Sequence, residues 1–206
     1  MRGGDTQAPV VGVIDIGSPR SGKLGWVVLD DGAEAFGNDL DAFIEEFSSN
    51  CDGRPAALGF EAPLFVPVRD QARMLTSARH GEGSRPWSAG AGANALAIAV
   101  PIVAYTLKRL RLLLPGYKAE VQPGYWERDS LLIFEAFVSG SSKAVHHHED
   151  AAIAARVFAA GVGDLGALNA IKEPDVLSLC GAALIYSGWV DPSIEAVTSP
   201  VLVVKP

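Results

Sequence analysis

Two periods of apolar residues run along this chain, one of two residues and one of three to four, and they separate strands from helices. In residues 10–16, Val11, Val13 and Asp15 share one face, and Val10, Ile14 and Ile16 share the other. A polar turn with Gly17, Ser18, Pro19, Arg20, Ser21 and Gly22 follows, and residues 24–29 return as a partner strand. After Asp30-Asp31-Gly32, residues 33–36 make a third extended piece. Three strands joined by turns this short predict an antiparallel meander.

The helical period then takes over. Asn38 or Asp39 caps a helix whose apolar residues are Leu40, Phe43, Ile44 and Phe47, and Cys51-Asp52-Gly53-Arg54-Pro55 ends it. Residues 56–62 read as a buried strand that is reached through a helix, so it can lie parallel to the first. Residues 64–92 are irregular. A long helix follows with Ala95, Ile98, Ala99, Ile102, Val103, Thr106, Leu107 and Leu110 on one stripe, Pro101 as a kink, and Pro115-Gly116 as its stop. A short extended piece is expected at 119–122. Residues 131–138 form another strand, with Leu131, Ile133, Glu135 and Phe137 on one face. The stretch 144–160 is a helix. Pro174 suits the first turn of a final, nearly all-apolar helix over 175–187, and 201–204 adds an edge strand.

Composition narrows the class. The chain has 206 residues, 49% hydrophobic and 20% charged, enough for one sizeable core. No uninterrupted apolar run reaches the roughly 18 residues of a membrane span. The start, MRGGDTQAPV, lacks a signal-peptide core, so no membrane association and a cytoplasmic location are expected. Cys51 and Cys180 form no CxxC pair and read as reduced thiols. A net charge of −7 argues against a broad nucleic-acid-coating surface but permits a local basic patch.

Candidate chemistry lies in carboxylates embedded in apolar elements. Asp15 stands near the tip of the first strand and Glu61 at the tip of the fourth. Glu135 sits within a later strand, and Asp150 points along the inward face of its helix with Ile153, Ala154 and Val157. Glu149, in the same first turn, is accounted for by the helix dipole alone. His146, His147 and His148 hold three of the four histidines and suit ligands, proton shuttles or a polar helix start. Arg69, Arg73, Arg79, His80 and Arg85, followed by Trp87, suit either a phosphate-gripping lip or a solvated loop. The run Ala89-Gly90-Ala91-Gly92 has no nucleotide-loop spacing, and no zinc spacing is present.

The order of VIDIGSPRSGKLGWVVLDDG, LGFEAPLF, LLIFEAFVSG and HHHEDAAIAARVFAAG resembles the RNase H-like superfamily. Within it, the likeness is to the RuvC-type branch and to uncharacterised predicted nucleases grouped there. The resemblance covers residues 10–162, with 163–206 as an appended helical and edge-strand extension on the same domain. It implies an α/β fold: a mixed five-stranded sheet in the order 3-2-1-4-5 with helices on both faces. It further implies Asp15, Glu61 and Asp150 as ligands of Mg²⁺ or Mn²⁺, with Glu135 or Glu149 as a fourth. Two such ions about 4 Å apart would serve phosphodiester hydrolysis. His148 or a neighbour would move protons or contact the phosphate, and Arg69, Arg73 and Arg85 would hold the nucleic-acid substrate. The alternatives are an inactive scaffold of the same fold and, less favoured for a chain this short, an actin-like phosphate binder with Asp15-Ile16-Gly17 as its turn. The apolar final helix serves equally as core or as a homodimer face.

Overall fold

The computed structural model describes residues 8–83, 86–138 and 147–206. The expected meander is present: β1 (Val10–Asp15), β2 (Gly25–Asp30) and β3 (Ala33–Gly37) pair antiparallel in sequence. Helix α1 (Leu40–Cys51) buries Phe43, Ile44, Phe47 and Cys51, and the Asp39 carboxylate caps it by accepting from the Ala42 N–H at 2.8 Å. It returns the chain to β4 (Ala56–Glu61), which runs parallel to β1 with Asp15 opposite Glu61.

The chain then leaves the sheet through β5 (Phe65–Pro67) and climbs into α2 (Gly90–Leu113). Ala99, Ile102, Val103, Thr106, Leu107 and Leu110 of α2 are buried on the predicted stripe, and Pro101 is accommodated on the exposed side. By length and composition α2 is apolar enough to cross a membrane. Asn94, Tyr105 and Thr106 break up its apolar run. In the fold only one stripe of α2 is buried, against α1, β4 and a later helix, and most of the helix is exposed.

β6 (Lys118–Glu120) and β7 (Ser130–Ala136) extend the central sheet beyond β4. After α3 (His147–Ala160) and the single-turn α4 (Leu165–Leu168) comes β8 (Val176–Ser178), antiparallel to β5. The predicted helix over 175–187 is therefore shorter. Ser178 caps α5 (Leu179–Tyr186) by accepting from the Gly181 N–H, and the residues before it are claimed by strand pairing. Past α6 (Ile194–Thr198), β9 (Leu202–Val204) joins the sheet.

The result is α/β, with a mixed seven-stranded sheet in the order 3-2-1-4-7-6, and β9 also paired to β7. Five strands were expected. The two additional ones share the far edge of β7, where β6 pairs with residues 130–132 and β9 with residues 134–136. β9 is fully buried there rather than an exposed edge.

The pleat divides the core in two. Val10, Ile14, Leu58, Phe60, Leu131 and Ile133 face α1, α2 and α5. Val11, Val13, Val27, Ala57, Leu132 and Phe134 face α3, whose Ala151, Ala154, Ala155 and Phe158 cover them. Phe134 and Phe158 stack with centroids 4.4 Å apart. This separation decides which acids meet.

Candidate metal centre

Asp15 closes β1, and its place in the register, opposite both Gly25 and Glu61, fixes its surroundings. It shares the α3-facing side of the pleat with Val11 and Val13, and Glu61 shares that side on β4 because parallel neighbours in register point the same way. Asp150 reaches the same place from above. It lies in the first turn of α3, one turn before Ala154 and two before Phe158, and is 3% exposed.

Two glycines permit this approach. A Cβ on Gly25 would stand 2.3 Å from the backbone N of His148, so α3 can start this close to β2 only above a glycine. A Cβ on Gly17 would overlap the carbonyl of Lys23, which closes the turn after Asp15. The alanines of α3 extend the same close packing along the helix.

One oxygen each from Asp15, Glu61 and Asp150 lies within 4.8 Å of the other two. Three carboxylates this close repel strongly unless a proton or a cation lies between them. An all-oxygen donor set of this size fits a hard divalent cation. His147 adds a nitrogen at the rim: its Nδ1 contacts Asp15 Oδ2. His148, the histidine singled out from the sequence, instead stacks on Phe36 of β3, with centroids 5.0 Å apart. His146 lies outside the described residues.

Glu135 does not join the cluster. It pairs in register with Phe60, so its side chain emerges on the opposite face of the sheet from Glu61. There it is fully buried and takes a two-pronged ion pair from Arg79, at 2.8 and 2.6 Å. Arg79 also bonds Glu82 at 3.1 and 3.0 Å. Burial works against the Arg79 charge, but the two carboxylates outweigh it and hold the guanidinium above the usual arginine range. Glu149 is half-buried beside Asp150 and is not one of the three converging acids.

The arginines expected to form a lip are placed differently from one another. Arg69 is turned inward onto Glu173, at 2.7 and 2.9 Å, and holds that carboxyl down at about 2 against the effect of burial. Arg73 is exposed and bonds Gln71 in its own loop. Arg85 lies outside the described residues. The Trp87 indole donates to the Ser77 carbonyl, so its polar edge is used to close the loop. The exposed cations closest in sequence to Asp15 are Arg20 and Lys23, in the turn that leaves the tip of β1. That turn was read from sequence only as turn chemistry.

No family model matches this chain, and neither a curated protein nor a solved structure matches it. The site must therefore be read from its own geometry.

Proposed function

We propose that the protein is a divalent-metal-dependent nuclease that hydrolyses phosphodiester bonds, with Asp15, Glu61 and Asp150 as the ligands of Mg²⁺ or Mn²⁺. The observation that carries this reading is the convergence of those three carboxylates from three separate elements. The likeness in motif order to the RNase H-like superfamily supports it. Such an ion, when bound, polarises a phosphoryl oxygen and lowers the pKa of a water beside it.

The chain's own residues have distinct parts in this proposal. Asp15 is the central ligand, flanked by Glu61 across the β1–β4 pairing and by Asp150 from α3. His147, held against Asp15, accepts or returns a proton at its imidazole. Arg20 and Lys23 contact the substrate phosphates in place of Arg69, whose charge is spent on Glu173. The resemblance implies two ions. Three acids suffice for one, and we assign Glu149 to the second.

A second reading, a scaffold with the same fold and no catalysis, draws on the engagement of Arg69 and Arg79 inside the protein together with a net charge of −7. Calorimetric titration with Mn²⁺, followed by incubation with labelled single- and double-stranded DNA and RNA, separates the two. The nuclease reading expects saturable binding and metal-dependent cleavage, both lost in Asp15→Asn. Absence of binding in the wild type would sink it, and binding without cleavage of any of these substrates favours the scaffold.

A further inference from the structure

The buried ion-pair cluster on the far side of the sheet ends on the turn that carries Glu61. Glu135 Oε2, besides pairing with Arg79, accepts the Leu64 N–H at 3.0 Å. The Leu64 carbonyl accepts in turn from Leu179 and Cys180, at the start of α5. At the other end of the turn the Ala62 N–H donates to the Phe60 carbonyl at 2.9 Å. Glu61 is thus held between a tight backbone bond on one side and an anchored amide three residues on. Arg79 is itself fixed by Glu82, by a contact to the Phe65 carbonyl at 3.4 Å and by lying over the Phe65 ring.

We propose that Arg79 and Glu135 are positioning residues for the metal centre, acting through the Leu64 amide on the backbone that aims Glu61. This rests on the metal-site reading above. Side chains that orient metal ligands from behind set affinity as well as rigidity, and their loss lowers metal affinity by about 10- to 100-fold. The device explains why a charged cluster is kept in a fully buried place, where apolar residues of similar size would fill the space at least as stably. Neither Arg79 nor Glu135 touches the acidic trio, so neither is a catalytic residue.

The test compares Mn²⁺ affinity, by calorimetry, with thermal stability in the wild type and in two triple variants. Both carry Arg79→Met and Glu82→Leu, which remove the buried charges together. One adds Glu135→Gln, which keeps an acceptor for the Leu64 N–H, and the other adds Glu135→Leu, which does not. The Gln triple, which lacks the Arg79 grip, is expected to bind Mn²⁺ several-fold more weakly than the wild type, and the Leu triple about tenfold more weakly than the Gln triple. That deficit should vanish when both are placed in a Glu61→Gln background, since residues acting through Glu61 are not additive with it.

Equal affinity in the two folded triples overturns the proposal, as does a deficit that persists without the Glu61 carboxylate. If the Leu triple does not fold, Arg79→Lys serves instead, because it keeps the charge but loses the two-pronged grip. Affinity lowered several-fold supports the role and unchanged affinity overturns it. A wild type that binds no Mn²⁺ at all overturns the metal-site reading itself.

Discussion

The two faces of the sheet handle buried carboxylates in opposite ways at nearly the same height. On one face Glu135 is answered by an internal guanidinium, and the charge is closed within the protein. On the other, Asp15, Glu61 and Asp150 converge on one small volume. The chemistry of the side chains is the same, and the strands are neighbours. What differs is the pleat, which sends Glu61 one way and Glu135 the other. A carboxylate with its own arginine builds structure, whereas carboxylates facing one another offset their repulsion with a shared proton or, as proposed above, a cation.

The sharpest way to break this comparison is to remove a charge from each face. Arg79→Met leaves Glu135 and Glu82 buried without their partner and is expected to cost about 3–5 kcal/mol in urea unfolding. Asp15→Asn removes one of three mutually repelling charges and should leave metal-free stability unchanged or raised. Comparable losses from the two substitutions would erase the distinction. Ligand linkage supplies the converse. Mn²⁺ at 100 times its dissociation constant should stabilise the wild type by about 2.7 kcal/mol and leave Asp15→Asn unmoved, as read from thermal melts with and without metal.

Gly25→Ala probes the acidic face through its geometry. The added methyl meets the backbone of His147 and His148, so α3 must shift from β2, at about 1–3 kcal/mol. Because that shift carries Asp150 with it, Mn²⁺ affinity should fall along with stability. A variant that is destabilised yet binds normally would show that the trio tolerates movement of α3.

The ion pair between Arg69 and Glu173 extends the internal face and is sensitive to acid. The folded-state carboxyl lies at about 2, below its ordinary value of 4.5. Its contribution is therefore complete above pH 4.5 and is lost as pH falls through 2. After allowance for screening at the half-open Arg69, this is on the order of 2 kcal/mol. Urea midpoints measured at pH 5 and pH 2.5 should fall more steeply in the wild type than in Glu173→Gln.

The parts of this arrangement legible in the sequence were those carried by local period. Alternation placed Asp15 on a core-facing side of its strand, and helical spacing aimed Asp150 inward. The meander and the capped first helix followed in the same way. The fate of Glu135 was not local. Alternation put it beside Leu131 and Ile133, but only the register with Phe60 says which face of the sheet that is, and a slip of one residue would reverse the answer. The arginines were opaque for a related reason. The partner of Arg69 is 104 residues away, and of the two partners of Arg79 Glu82 is three residues away but Glu135 is 56 away, so a chain read in order sees only part of what holds these cations. Residues 175–178 were read as helix from their apolar character, and a strand partner more than a hundred residues earlier overrode that preference.

The adjacent histidines allow the finest test. The sequence offers no reason to prefer His147 over His148, since both open the same helix. Successive helical positions diverge by about 100°, and here the two side chains are turned to different neighbours. His147 is turned onto Asp15 and His148 onto the Phe36 ring. Replacing His148 by Ala should cost only the stacking, about 0.5–1 kcal/mol in urea unfolding, and leave Mn²⁺ affinity unchanged. His147→Ala should leave stability nearly intact and alter Mn²⁺ affinity or the pH profile of any cleavage. If His148→Ala disturbs the metal and His147→Ala does not, the orientation of the first turn of α3 described above is wrong. The assignment of Asp150 to the trio, which depends on that same turn, would fall with it.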